Sequence, residues 1–173
     1  VNQQLAEENL DLRNKLDLLS AKVDTTLVIS ESQDSYRYFY LPSRVVRNTV
    51  YKQYNFITLD KGKKDGVFKD MGVISEQGLV GIVLESSKNF ATVIPILNRD
   101  FRLSARILNT GYFGSMSWEG SGGYEQAILE EIPFHVELHE GDSIVTSGYS
   151  AIFPEGIPVG TIRSFEVEEG NFY

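Results

Sequence analysis

The sequence predicts a mainly β protein, with an N-terminal coiled-coil helix followed by two small β-barrel-like lobes. Three observations carry that prediction. Near the N-terminus, seam residues recur at alternating steps of three and four. From Arg44 onward, short runs rich in β-branched and aromatic residues are separated by Gly, Asn, Asp or Pro, and no helical period persists. Two of these glycine-punctuated stretches echo one another.

The helix comes first. Asn2, Asn9, Leu16 and Val23 fall at the a positions of a heptad, and Leu5, Leu12 and Leu19 at d. A polar Asn at a, with Leu at d, favours a parallel dimer because two amides can pair across the axis. Glu8 at g and Arg13 at the following e could bridge between chains. The seam decays beyond Val23, so residues 1–27 read as a coil about 39 Å long at ~1.5 Å per residue. Residues 28–42 read as a linker, in which the alternating Tyr36, Tyr38 and Tyr40 suggest an extended segment. The seam of Leu5, Asn9, Leu12, Leu16, Leu19 and Val23 faces either a second copy of the chain or the chain's own globular part; three heptads admit both readings. The chain begins without Met and part-way through a heptad. It reads as a fragment, with an anchor expected upstream.

The β part divides into a first lobe at 43–100 and a second at 101–173. Predicted strands are RVVRNTV, NFITL, GLVGIVL, ATVIPIL, FRLSARIL, YFGSMSW, EQAILEEI, DSIVTS and GTIRSFEVE. The echo links VFKDMGVISEQGLVGIV from Val67 with VELHEGDSIVTSGYSAIFPEGIPVGTI from Val136. In both, a Gly precedes a short strand ending in Ser or Thr, and a second glycine-flanked turn opens the next strand. Glycines placed this way mark backbone that needs positive φ or has no room for a Cβ. No helix follows to supply a dipole, so the Gly-x-x-Gly turns do not read as phosphate sites.

Composition narrows the function. The net charge of −8, without the clustered Lys and Arg that phosphates call for, argues against nucleic acid. The absence of cysteine excludes disulfides, thiolate catalysis and Cys-ligated zinc. No apolar run approaches a membrane span, so membrane contact is expected only through the missing anchor. Gly141-Asp142-Ser143 imitates the start of a serine-protease nucleophile loop. However, the only histidines, His135 and His139, lie a few residues before Ser143, and Ile144 and Val145 follow it where an oxyanion loop needs glycine. His135, Glu137 and His139 would share one face of a strand, which is read as a solvated edge rather than a metal site. No catalytic residue, metal site or cofactor is expected. The mixed-charge Asp60–Asp65 tip reads as a solvated turn or an interface rim. Phe153, beside glycine turns, reads as a lobe-to-lobe anchor in preference to part of an exposed partner patch. Three segments are candidate partner surfaces: the Lys61–Asp65 tip, the Ser147–Pro158 loop and, preferred for its aromatics, the Gly111–Gly123 hairpin, with Tyr112, Met116 and Trp118 on one face and Phe113 and Ser115 on the other.

These residues also carry a resemblance. LDKGKKDGVFKDMGV from Leu59, QGLVGIV from Gln77 and GDSIVTSGYSAIFPEGIPVGTI from Gly141 resemble the signatures of the rod-shape-determining MreC family, in the same order. Asp70 stands where that family usually has Gly before Met. The resemblance covers roughly Ser43 to Ser164. It implies a membrane-anchored protein with a two-barrel head on the periplasmic side of the inner membrane, acting as a non-enzymatic scaffold for cell shape and peptidoglycan elongation. It implies as partners MreD, MreB, RodA and a class B penicillin-binding transpeptidase, and the heptad adds a second copy of the chain through the helix. The competing class is a surface or fibre protein with a coiled-coil stalk and a β head.

Overall fold

The computed structural model describes residues 8–9, 11–15, 38–120 and 123–166, and the backbone of 167–168 and 171–172. Residues 44–173 form one compact unit. In the preceding unit, Glu8, Asn9 and 11–15 are helical, Asp11 and Lys15 form an i,i+4 ion pair, and Leu12 is 52% exposed. Leu5, Leu16, Leu19, Val23 and residues 28–37 of the linker lie outside the described residues.

The first sheet consists of β1 (Val45–Asn48), β2 (Ile57–Leu59), β3 (Gly72–Ser75), β4 (Gly78–Ser86) and β5 (Ala91–Pro95). It is antiparallel throughout, in the order β1-β2-β5-β4-β3. Its apolar residues divide between two faces. Val83, Ala91 and Val93 join Ile57, Leu59 and Val67 in a core of the first lobe. Leu79, Ile82, Ile94 and Ile96 instead pack against the second lobe. A strand buried on both faces reads as a continuous apolar run, which is the form of GLVGIVL and ATVIPIL. A bulge makes the division possible on β4: Val73 pairs with Gly81 but Ile74 pairs with Leu79, leaving Val80 as the extra residue. The shift sends Val80 to the first-lobe core and Leu79 to the other face.

The second lobe contains β6 (Arg102–Ile107), β7 (Phe113–Ser117), β8 (Ile128–Glu130), β9 (Ile132–Pro133), β10 (Ser143–Thr146), β11 (Pro158–Thr161), β12 (Val167–Glu168) and β13 (Asn171–Phe172). Its main sheet is antiparallel in the order β11-β10-β6-β7-β8, and β12-β13-β9 form a smaller one. Along β6, Leu103, Ala105 and Ile107 turn inward while Arg102, Ser104 and Arg106 turn outward, the two-residue alternation of a half-buried strand. The inward set packs with Phe101, Met116, Ile132, Val136, Ile144 and Phe153.

Two predicted strands are interrupted. EQAILEEI is broken by Glu131, whose φ of 69° separates β8 from β9. GTIRSFEVE is divided into β11 and β12: Ile162 still exchanges backbone hydrogen bonds with Gly141 and Asp142 beyond the Ser143–Thr161 pair, and residues 162–166 are irregular before β12 begins. His135, Glu137 and His139 do not share a strand face either. They follow β9 in a turn and irregular link, because Val136 closes back onto the carbonyl of Pro133.

The two echoing stretches fold as the hairpins β3–β4 and β10–β11, each with a register shift. Their places differ. The sheet continues from the second arm in the first lobe (β4 to β5) and from the first arm in the second lobe (β10 to β6). The hairpins meet at the seam between lobes. Phe153 is 1% exposed, and a Cβ on Gly72 would strike its ring and come within 2.8 Å of the Ile152 carbonyl. Gly78, at φ 138°, backs onto the carbonyl of Pro158 with no room for a side chain. Phe153 is thus the lobe-to-lobe anchor that the sequence suggested.

Asp70 adopts a φ of 67°, and its amide donates to the Val83 carbonyl. This left-handed backbone is what glycine accepts without cost and Asp tolerates. Asp70→Gly should therefore leave the fold unchanged and raise stability by about 0.5–1 kcal/mol, read as a higher urea midpoint. Phe153→Ala should lower stability by about 3–5 kcal/mol, because it removes the seam's largest buried group.

Candidate partner-binding surface

The outward face of the second sheet is built by register. Arg102 lies opposite Ser117, Ser104 opposite Ser115, and Arg106 opposite Phe113, while Val145 flanks Arg106 from β10. Ser147 donates a 3.0 Å hydrogen bond to the Ser104 hydroxyl, and Arg106 pairs with Glu155. Phe113 stacks edge-on against Tyr149, with ring centroids 4.6 Å apart. A shallow groove between β6 and β7 is lined by Arg102, Ser104, Phe113, Ser115 and Glu131. This face therefore offers hydroxyls, both signs of charge and an exposed aromatic pair, the mixed character of a protein-recognition surface.

Beside it, Tyr112 and His135 pack edge-on at 5.5 Å, with Tyr Oη and His Nε2 3.2 Å apart, and Phe134 meets the same imidazole at 5.9 Å. Phe134 and Tyr149 are largely exposed.

The candidate trio from the sequence separates here. Met116 is 4% exposed and Trp118 5%, so both belong to the interior and not to a free surface. The alternation along β7 was read correctly, but its sides were exchanged. Gly114 and Met116 point inward because Met116 lies opposite Leu103, and Phe113 and Ser115 point outward. The indole of Trp118 donates a 2.8 Å hydrogen bond to the Gly123 carbonyl, giving its one polar group an internal partner. Tyr112 remains at the surface because it precedes the strand. Phe134 was missed, since it lies in no alternating run that would mark its direction, whereas Tyr149 belongs to the Ser147–Pro158 loop that ranked behind the hairpin.

Ser143 opens β10 opposite Thr161; the backbone N–H of His139 donates to Asp142 Oδ2, and Asn109 donates to Asp142 Oδ1. Among the described residues, no cluster of His, Asp and Glu is gathered closely enough to hold a metal ion. Both carboxylates of the Asp60–Asp65 tip are paired, one with Arg44 just before β1 and one within the tip. Asp60 accepts the Arg44 amide at 2.8 Å, which with the Arg44 guanidinium keeps its carboxyl below the usual range, and Lys61 lies 3.8 Å from Asp65.

Two interlocked antiparallel sheets with a mixed aromatic and polar outer face define a β-rich interaction module. The chain belongs to the MreC family: residues 45–173 match the family model described as "Rod shape-determining protein MreC, barrel core". The MreC of Haemophilus influenzae, a cell shape-determining protein, is 26% identical over all of this chain and 48% of its own length. The solved MreC of Listeria monocytogenes superposes with a TM-score of 0.73 at 29% identity, covering 98% of this chain and 80% of that one. A Helicobacter pylori MreC, solved in complex with the penicillin-binding protein PBP2, shares the fold at 17% identity and a TM-score of 0.60, over 76% of this chain and 81% of that one. The chain spans about half the length of the curated Haemophilus and Listeria relatives it matches.

Urea unfolding can check the assignment of sides. Trp118→Ala should cost about 3–5 kcal/mol, whereas Tyr149→Ser should cost about 1 kcal/mol or less, the value of an exposed ring pair.

Proposed function

We propose that this chain is a non-enzymatic envelope scaffold that organises peptidoglycan elongation for cell shape, working on the periplasmic side of the inner membrane. The match of residues 45–173 to the MreC barrel core carries this reading. The second sheet supports it with an outer face rich in serine and aromatic residues, a surface suited to holding proteins. The partner proposed for that face is a class B penicillin-binding transpeptidase, and the complex of the Helicobacter pylori relative with PBP2 supports that choice. MreD, MreB and RodA are the further partners that the family resemblance suggests, and a membrane anchor upstream belongs to the same reading.

The helix is proposed to join two copies in parallel through the seam of Leu5, Asn9, Leu12, Leu16, Leu19 and Val23. Leu12, exposed on its helical turn, is available for such a contact.

Two experiments check this function. Calorimetric titration with the transpeptidase ectodomain should show binding that Phe113→Ser with Tyr149→Ser weakens at least tenfold, as the loss of central aromatic contacts does. Unchanged affinity in that folded double variant would move the partner elsewhere. Deleting residues 1–27 should convert a dimer to a monomer in sedimentation while the β unit stays folded, and Asn9→Ile should stabilise the coil but relax its preference for two strands. Turnover of peptide or ester substrates that Ser143→Ala abolishes would overturn the scaffold reading.

A further inference from the structure

The loop between β1 and β2 is built more firmly than a plain connection requires. Asn55 is fully buried; its amide donates to the carbonyls of Lys52 and Leu97, both at 2.7 Å, and its Oδ1 accepts the Lys52 amide at 3.1 Å. Asn98, equally buried, donates to the Asn55 carbonyl at 2.6 Å. Arg99 closes the base, with its amide on the Gln53 carbonyl and its guanidinium on Gln53 Oε1. Four hydrogen bonds made by two buried asparagines thus hold a loop whose tip turns apolar groups outward. Tyr51 is 83% exposed, and Val50 and Tyr54 are exposed beside it.

The charge of this loop is opposite to that of the chain. In a protein of net charge −8, residues 44–59 contain Arg44, Arg47 and Lys52 and no Asp or Glu. Asp60 neutralises Arg44. Arg47, Lys52 and Arg99 have no carboxylate within ion-pairing distance among the described residues. Ordered tyrosines among unpaired cations, on an otherwise acidic protein, complement a surface that is anionic outside and apolar just beneath. Tyrosine settles at the headgroup level of a bilayer, and each Lys or Arg near an anionic leaflet adds further attraction.

We propose that the Val50–Tyr54 loop is a lipid-contacting tip that rests on an anionic membrane surface, with Tyr51 at the headgroup boundary and Lys52 and Arg99 against lipid phosphates. The contact is separate from any anchor upstream of the chain and from the outer face of the second sheet. It orients the β unit on the bilayer, in addition to any tether.

The test uses the 173-residue chain and sedimented vesicles. It should bind phosphatidylglycerol-containing vesicles and not pure phosphatidylcholine, with binding that salt weakens. Lys52→Gln with Arg99→Gln should reduce partitioning about twentyfold to thirtyfold, about fivefold per cation. Tyr51→Ser should reduce it independently, with the unfolding midpoint unchanged. In a Tyr51→Trp variant, brominated phosphatidylglycerol should quench the new fluorophore, while the buried Trp118 of the parent chain is unaffected. Absence of binding to anionic vesicles, or equal binding by all variants, overturns the proposal. So does binding to poly-glutamate in preference to vesicles, which would assign the loop to an acidic protein.

Discussion

Phe153 lying on the bare backbone of Gly72 is the contact from which the rest of the arrangement follows. It requires a glycine at the start of β3, a second glycine at Gly78 where Pro158 closes in, and an aromatic carried on the loop between β10 and β11. With those in place, Leu79, Ile82, Ile94 and Ile96 find cover on the second lobe. Without them the first sheet would expose that face to water. Its core, Ile57, Leu59, Val67, Val83, Ala91 and Val93, is small, and a core of that size contributes only about 3–5 kcal/mol. The lobes are therefore stable together in a way that neither sheet would be alone.

That mutual dependence suits a scaffold. A protein that positions others must hold the spacing between its surfaces, and a seam packed around glycine backbone resists sliding more than one made of flexible side chains. Surfaces that do not take part in the seam are then free to specialise. The outer face of the second sheet presents Phe113 and Tyr149 among serines, while the β1–β2 loop presents Tyr51 beside cations that have no carboxylate partner among the described residues. Both stand on ordered backbone, the first on a five-stranded ladder and the second on the buried Asn55 and Asn98. Preorganisation of this kind reduces the entropy lost when a partner binds.

The seam was legible in the sequence because its chemistry is local. Gly72 and Gly78 belong to the echoing blocks, the two-sided burial of β4 and β5 shows as unbroken apolar runs, and the Ala-Ile-Phe-Pro segment sits between turn glycines. The outer face was only half legible. Alternation along β7 predicted two sides, yet nothing in YFGSMSW says which side meets Leu103 across the ladder, so Met116 and Trp118 were assigned outward. The β1–β2 loop was illegible for another reason. Asn55 and Asn98 lie far apart in the chain, and an asparagine that stabilises a distant carbonyl looks the same in sequence as one in a solvated turn. Glu131 hid its left-handed backbone behind a residue type that rarely adopts it.

The central claim is that the seam makes residues 44–173 a single cooperative body, and native-state hydrogen exchange tests it most directly. The slowest amides of the first sheet, Val83 and Val93, and those of the second, Ala105 and Ile107, should open with one common free energy and one common denaturant dependence. If the first sheet instead exchanges through a separate, cheaper opening while the second stays protected, the lobes are independent and the seam does not bind them.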